Sequence, residues 1–420
     1  MKRLREPPKR ARVTDVQFGI YSEEEIERLS VVEVNQVRIH KSGIVHKHGI
    51  NDSAMGTNTR AMLCSTCGGD MNTCPGHMGH IELHEPILNI EFISHVQRIL
   101  TCVCFYCSQL LLTNEHPKFA SVLQGTNKKE RQVELYKICT KIHKCTQCGG
   151  NQPIYKKEDV VIRAYFTFSQ AERAAIIHGE LEYPALTPWK MWSILRHIDD
   201  STVEQLGMDP VEAHSASMMW KKLIVPPVQM RPPRSKTNNN TKIGGEDDLT
   251  IQLRNILKAN FQLAGACLTD AALDLTRCVH KGVTHKNIQD MIWESQEPSQ
   301  PKRKKAKTSL VQYLELQRLV AAYQDRKYRK SSDMTGHDYS MDLKSVRDRF
   351  TGEKAKKGRI RHTIVGRRQN YSARTVITPY SDMAVDDVGV PQWQCMMLTY
   401  PFKKAESKGS EMLTNVSSFC

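Results

Sequence analysis

Cys64-x2-Cys67-x6-Cys74-x2-His77 places four soft or borderline ligands within 14 residues, and Gly68, Gly69, Pro75 and Gly76 supply tight turns between them. Paired ligands two residues apart on a turn can close on one ion at about 2.0–2.3 Å, which suits tetrahedral zinc. A set of free structural thiols is the plain alternative, but four ligands in paired spacing rarely arise by chance. On spacing alone, His80 and His84 remain competing ligands. A second group follows, in which Cys104-x2-Cys107 and Cys145-x2-Cys148 form two pairs that close a loop of 37 intervening residues. Cys102 and Cys139 are then spare thiols, read more simply as small buried hydrophobes than as ligands. With four protein ligands each, neither ion keeps an open position for water, so both are expected to be structural.

Cysteine usage supports metal over disulfides. Of 13 cysteines, nine lie between Cys64 and Cys148, in a chain whose start, MKRLREPPKRARV, has no apolar segment behind its charges. No uninterrupted apolar run approaches the 18 or so residues of a membrane span, so neither secretion nor membrane insertion is expected.

A second chemistry is electrostatic. The 60 Lys and Arg against 45 Asp and Glu leave +15. Residues 301–374 hold 21 Lys and Arg against 7 Asp and Glu, which is +14 of that excess. Within this zone Lys344, Arg347, Arg349, Lys354, Lys356, Lys357, Arg359, Arg361, Arg367, Arg368 and Arg374 are interrupted by Gly352, Gly358 and Gly366. Glycine lets a backbone approach a phosphate closely and arginine grips it in bidentate fashion, so the segment could track a nucleic-acid backbone without reading bases. A solvated charged face would have the same composition.

The elements that must position these groups read as α+β in several domains, since 420 residues at roughly 150 per domain allow two or three, and 40% hydrophobic content gives each a core. Residues 1–15 read as a basic arm. Val16, Phe18 and Ile20 alternate like a short strand, and Ser22 with Glu25 offers a capping box. Helices are expected over Ile87–Leu100, Lys128–His143, Ser169–His178, Pro188–His197 and Pro210–Leu223, with a strand over Asp159–Tyr165. VPPVQMRPPRSKTNNNTKIGGEDD, from Val225, reads as a long exposed loop. Leu249, Leu253, Ile256 and Leu257 then resume helical spacing behind Asp247 and Asp248, whose charges suit a helix N-terminus. After the lysine-rich SQEPSQPKRKKAK, Ser309 to about Arg329 offers another helix. PKRKKAK at 301–307 could also serve nuclear import, although exposed loops share that composition.

CSTCGGDMNTCPGHMGHIEL, CVCFYCSQLLL, GEDDLTIQLRNILKAN, GRIRHTIVGRRQNYSARTVI and DDVGVPQWQCMMLTYP, in this order, resemble the N-terminal third of the largest subunit of multisubunit DNA-directed RNA polymerases, most closely the eukaryotic and large-DNA-virus branch. The resemblance implies a zinc-stabilised clamp: residues 1–100 form its core with the first zinc site, and 101–230 its outer part with the second. Residues 231–345 would carry the lid, a return to the clamp core and the rudder, and 346–401 the switch segment and the start of the active-site region. Residues 402–420 match nothing expected and read as a poorly ordered, divergent tail.

The implied partners are the other polymerase subunits, template DNA and the RNA–DNA hybrid, inside the cell: in the nucleus, or at a viral replication site or in the virion for a viral source. Lys344, Arg347, Arg359, Arg361, Arg367, Arg368 and Arg374 would hold template phosphates. GEKAKKGRIR is two to three residues longer than the usual GKEGRIR, which leaves the roles of Lys354, Lys356 and Lys357 unassigned. The implied cofactors are two structural zinc ions. Magnesium would serve only the complete polymerase, through the family's aspartate loop NADFDGD. No D-x-D-x-D string occurs in these 420 residues, and Asp386 with Asp387 is only a dipeptide, so the chain alone is expected to be inactive. Two rival readings are a non-catalytic, zinc-stabilised nucleic-acid-binding or regulatory fragment and a ring-type zinc ligase scaffold. The 37-residue separation inside the second ligand set argues against the ligase.

Overall fold

The computed structural model describes residues 14, 18–41, 44–59, 62–112, 117, 122, 127–170, 172, 176, 184–238, 241–267, 276–278, 309–328, 343–352, 358–370, 372–397, 400–403 and 410–413. Most of the basic arm, most of the expected helix Ser169–His178, the PKRKKAK stretch, most of the expected rudder, and Lys354, Lys356 and Lys357 lie outside the described residues. The architecture is mixed α+β, and the chain divides into two compact units, Met1–Arg347 and Asp348–Cys420.

The first unit opens with α1 (Glu23–Leu29), started by the expected capping box: Ser22 Oγ accepts from Glu25 N at 3.3 Å and Glu25 Oε2 accepts from Ser22 N at 2.8 Å. Residues 18–20 form no strand; Ile20 N instead donates to Glu212 O at 2.7 Å. β1 (Ser30–Glu33) precedes a small hairpin of β2 (His40–Lys41) and β3 (Ile44–Val45), after which β4 (Met78–Leu88) runs down the middle of a three-stranded sheet. α2 (Ile93–Cys102) buries Ile93, Val96, Ile99 and Leu100 on one face, each worth about 1.5–3 kcal/mol of burial. α3 (Lys128–Cys139) packs on α2, and β5 (Ile154–Glu158) pairs antiparallel with β6 (Val161–Phe166). α4 (Pro188–Arg196) starts at a Thr187 cap with proline in its first turn, and α5 (Asp200–Gln205) follows.

β7 (Met219–Val225) returns antiparallel to β4, giving the order β1-β4-β7. β8 (Arg234–Asn238) and β9 (Thr241–Gly245) form a hairpin, and α6 (Asp248–Cys267) packs along α7 (Ser309–Gln324). Between them, β10 (Thr276–Cys278) joins β6 in parallel. Leu249, Leu253, Ile256 and Leu257 of α6 are buried with Tyr313, Leu316 and Val320 of α7, as their helical spacing requires. Asp247 Oδ2 accepts from Leu249 N at 3.0 Å, whereas Asp248 Oδ2 turns to Lys344 N at 3.0 Å.

Four further expectations are corrected. Ile87 and Leu88 end β4 instead of opening a helix, because they pair with Trp220 and Met219; the helix begins only after Asn89, whose side chain accepts from Glu91 N at 3.2 Å. A buried apolar run does not by itself distinguish strand from helix. For the same reason Pro210–Leu223 is not helical: a 3-10 turn at Ser215–Met218 leads straight into β7. The stretch after Val225 is not one loop, since a 3-10 turn at Val228–Met230 and the β8–β9 hairpin occupy it. In the second unit, the expected divergent tail contains a hairpin of β11 (Tyr400–Lys403) with β12 (Ser410–Leu413). That unit also holds most of α8 (Val346–Thr351), a π-helical turn at Arg359–Ile364 and α9 (Gln392–Met397).

β4 carries a pronounced bulge. Glu82 pairs with Lys222 and Ile87 with Trp220, so the β4 side of the ladder has three extra residues. Pro86 in the bulge has no N–H to donate, and side chains take over the ladder's role. Asn260 Oδ1 accepts from His84 N and its Nδ2 donates to Glu82 O, both at 2.9 Å. Tyr313 donates to Pro86 O at 3.2 Å, while Gln317 holds Leu88 at both ends, accepting from its N at 3.0 Å and donating to its O at 2.7 Å.

Glu85 lies in this bulge with 9% of its surface exposed and its Oε2 without a hydrogen-bond partner. Burial pushes its carboxyl up to about 7, and the Trp189 indole beside it offsets part of that rise. A raised carboxyl favours the folded state fully below the unfolded value of 4.5, and that contribution is lost as pH rises through about 7. Glu85→Gln should therefore flatten the decline in stability between pH 5 and pH 8, and at pH 8 it should be more stable than the parent by about 1–2 kcal/mol after solvent screening. Urea unfolding at both pH values checks this.

Candidate metal centres

Three of the ligand pairs share one backbone design. In Cys64–Cys67, Cys104–Cys107 and Cys145–Cys148, the first cysteine's N donates to the carbonyl five residues on: Cys64 N to Gly69 O at 2.9 Å, Cys104 N to Gln109 O at 2.8 Å and Cys145 N to Gly150 O at 3.0 Å. The residue after the second cysteine donates back to the first: Gly68 N to Cys64 O at 2.8 Å, and Ser108 N to Cys104 O and Gly149 N to Cys145 O, both at 3.0 Å. That residue must be left-handed, with φ of 69° at Gly68, 59° at Ser108 and 71° at Gly149. Glycine meets the requirement freely, and Ser108 adopts it at a steric cost.

The Cys74–His77 arm is built differently. Asp70 Oδ1 gathers Asn72 N at 3.0 Å, Thr73 N at 2.8 Å and Thr73 Oγ1 at 2.6 Å, and Cys74 N donates to Asp70 O at 2.9 Å. The Thr73 hydroxyl, with the Thr73 and Asn72 amides, holds the Asp70 carboxyl below its ordinary value. His77 N donates to Met55 O at 3.1 Å, which ties the arm to the loop before the first cysteine.

Two groups result, Cys64, Cys67, Cys74 and His77, and Cys104, Cys107, Cys145 and Cys148; in each, the ligand atoms all lie within 4.8 Å of one another. These are the pairings expected from spacing. In the second, Cys104 Sγ and Cys148 Sγ are 3.5 Å apart, and Cys107 Sγ and Cys145 Sγ 3.8 Å. Zinc–sulfur bonds of about 2.3 Å at a tetrahedral angle put sulfurs about 3.8 Å apart, far from the ~2.05 Å of a disulfide. In the first, His77 Nε2 is buried without a hydrogen-bond partner, as a nitrogen reserved for a metal would be. Amides also point at sulfur, with Gly69 N on Cys67, Gly76 N on Cys74 and Tyr106 N on Cys104, each at 3.4 Å. Burial alone would raise the Cys64 and Cys145 thiols, but the amides of Cys67 and Thr66, and of Cys148 and Gln147, bring them below the ordinary thiol value. The Cys67, Cys104, Cys107 and Cys148 thiols are shifted upward, so the fit rests on geometry. The donor sets therefore fit metal ions.

The remaining candidates sort clearly. Cys102 and Cys139 are buried, outside both groups, and their mutual hydrogen bond together with burial pushes the Cys102 thiol well up. His80 gives its Nδ1 to Ser30 Oγ at 2.7 Å, and neither it nor His84 joins a group. Spacing gave no sign of Gln152. Its Nε2 donates to Cys104 Sγ at 3.3 Å and to Gly150 O at 2.8 Å while its Oε1 accepts from Phe105 N at 2.9 Å, so one amide bridges both knuckles of the second group.

The basic residues fall into both units. Lys344 and Arg347 belong to the first, where Lys344 O accepts from Gln252 Nε2 at 3.0 Å and the Arg347 guanidinium meets Asp325 at 2.8 Å and Glu91 at 3.6 Å. Arg347 is thus charge-compensated within the chain. Arg359, Arg361, Arg367, Arg368 and Arg374 belong to the second unit and are all exposed. No described helix is long and apolar enough to cross a membrane.

Comparison with known proteins agrees with this geometry. The family described as RNA polymerase Rpb1, domain 1, matches residues 10–278, and RNA polymerase Rpb1, domain 2, matches 366–417. The second match covers most of the residues expected to form a divergent tail, so that expectation gives way. The chain is 32% identical over 401 residues to the DNA-directed RNA polymerase II subunit RPB1 of Euplotoides octocarinatus, covering 93% of this chain and 74% of that protein. Nothing in these comparisons supports the viral side of the expected source.

Ser108 offers a test of the knuckle geometry. Ser108→Gly should change stability by no more than about 1 kcal/mol, whereas Ser108→Val, a branched residue at a left-handed position, should be about 2 kcal/mol less stable than Ser108→Gly in urea unfolding.

Proposed function

This chain belongs to the family of RNA polymerase largest subunits, Rpb1, spanning its first domain and the start of its second, and from that premise we propose that it forms the clamp that holds template DNA and the RNA–DNA hybrid during template-directed RNA synthesis. The observation carrying this reading is that both four-ligand sets lie within the stretch matched by the first Rpb1 domain. Its partners are the other polymerase subunits, and its place of action is inside the cell, in the nucleus of a eukaryotic source. The nucleotidyl transfer belongs to the assembled enzyme. Magnesium there needs converging carboxylates, and no D-x-D-x-D string is present among these residues, so the chain alone is inactive.

Cys64, Cys67, Cys74 and His77 hold one zinc ion, and Cys104, Cys107, Cys145 and Cys148 another. Filled by four protein ligands, each site gives zinc a structural role and no open position for a reacting water. Lys344, Arg347, Arg359, Arg361, Arg367, Arg368 and Arg374 contact phosphates of template or hybrid without base preference. The exposure of the five arginines of the second unit supports this, and the carboxylate partners of Arg347 make it the weakest member. The rival reading, a non-catalytic regulatory fragment, has the same sites and differs only in whether other polymerase subunits bind.

Elemental analysis after dialysis should give two zinc ions per chain. Cys67→Ser should lower both metal content and stability, while Cys102→Ser should leave the metal content at two, because only Cys67 leaves a gap in a closed shell. Neutralising Arg359, Arg361 and Arg367 together should flatten the slope of log affinity against log salt for a DNA–RNA hybrid by about one unit per lost contact. An unchanged affinity and slope would remove these arginines from the interface.

A further inference from the structure

We propose that Trp189 and Trp192 on α4, with Lys221 of β7, form a stacking platform for single-stranded DNA, built without residues of the second unit. The two indoles meet edge to face, with ring centroids 5.7 Å apart and planes at 84°. The Lys221 ammonium lies 5.0 Å from the centroid of each ring, and the Arg196 guanidinium lies 4.9 Å from that of Trp192. Lys190, on the same helix, sits 5.3 Å from the Phe105 ring beside the second metal group.

Packing accounts for only part of this arrangement: Trp192 is partly buried against the core and the Trp189 indole donates to Glu85. α4 already buries Pro188, Met191, Ile194 and Leu195 on its inner face, yet Trp189 keeps 40% of its large apolar surface exposed. Nor do the cations serve folding through ion pairs: among the described residues no carboxylate pairs with Lys190, Arg196 or Lys221, whereas neighbouring Lys222 is paired with Glu27. An exposed indole held rigidly among unpaired cations complements a ligand that offers flat rings and negative charge together.

Single-stranded nucleic acid has both features. A duplex keeps its base faces stacked inside and could use only the cations. A 2′-hydroxyl gains little here, because Ser193 and His197 are bonded to each other, with His197 Nδ1 2.7 Å from Ser193 O and 3.3 Å from Ser193 Oγ. The remaining donors, Lys190, Arg196 and Lys221, are cations that a phosphate satisfies better than a hydroxyl. DNA therefore fits at least as well.

The test uses the full zinc-loaded chain and an oligo(dT) of about 12 nucleotides bearing one 5-iodouracil. Irradiation should cross-link the base to a peptide containing Trp189 or Trp192. In fluorescence anisotropy, Trp189→Ala should weaken oligo(dT) binding about tenfold, Trp189→Phe should lose clearly less because a ring remains, and both should bind a matched duplex as the parent does. Retention of two zinc ions by each variant verifies the fold. A variant with Arg359, Arg361, Arg367, Arg368 and Arg374 neutralised should keep the same cross-link, so failure of the phosphate assignment above would leave this one standing. The proposal is overturned if cross-links map only elsewhere, if Trp189→Ala binds oligo(dT) like the parent, if the arginine variant loses the cross-link, or if oligo(U) binds more than about tenfold tighter than oligo(dT).

Discussion

The backbone of β4 is completed by side chains. Where the strand bulges away from β7, Asn260 from α6 and Tyr313 and Gln317 from α7 bond Glu82, His84, Pro86 and Leu88 in place of a neighbouring strand. An unmatched backbone N–H or C=O at this depth would cost about 1–3 kcal/mol each, so the bulge is tenable only with both helices in place. The strand's position in the chain makes this constraint reach far. β4 begins at the residue after His77, and α2 ends two residues before Cys104. One continuous run of strand, turn and helix therefore joins the last ligand of the first metal group to the first ligand of the second.

Much of what is local in this molecule could be read from its sequence, although the β8–β9 hairpin reads there as loop and residues 18–20 as strand. The S-x-x-E cap of α1, the apolar spacing of α6 and α7, and the two ligand sets each depend on residues close together, or on a chemistry strict enough to pair distant cysteines correctly. Other errors fall where a partner far along the chain decides. Ile87 and Leu88 became strand because Trp220 and Met219 lie opposite them, and residues 219–223 became strand for the converse reason. Gln152 and Trp189 carry no pattern of their own. Gln152 matters because two knuckles 37 residues apart in sequence converge on it, and the Trp189–Trp192 spacing reads as ordinary core until Lys221 arrives from another element.

The metal groups show how little freedom such knuckles leave. Each Cys-x2-Cys pair is shaped by two backbone hydrogen bonds and a left-handed residue, so its sulfurs are placed before any ion is considered. Opposing pairs are then held by unlike means, the second group by Gln152 and by Phe105 packed edge-on to Phe166 with centroids 5.2 Å apart, the first by the Asp70 turn. Four sulfur or nitrogen ligands held this close crowd one another unless a cation draws them together. A metal ion held at either set would in this sense share one equilibrium with the fold, and loss of either would weaken the other.

Arg231 extends that coupling to the helices. Its guanidinium is buried, and burial lowers its pKa to about 10, so it enters the core still charged at neutral pH. Its hydrogen-bond acceptors are all neutral: Ile50 O at 2.8 Å, Pro226 O and Thr250 Oγ1 at 3.1 Å, and Asn51 Oδ1 at 3.2 Å. Tyr323 and the Asp247 carboxylate favour the charge from nearby, but a buried cation hydrogen-bonded only to neutral groups gains less than one paired directly with a carboxylate, so stability alone is a weak reason for placing it there. Geometry is the stronger one. The acceptors come from the loop before the first ligand set, from the exit of β7 and from the first turn of α6, three segments that also share the core through Ile50, Val228 and Leu249. A planar fork of five donors can satisfy all of them in one arrangement, and a shift of any segment by an ångström or so would strand a charge in the core. The same α6 that sutures β4 through Asn260 is thereby registered, through Thr250, to the chain entering the first metal group.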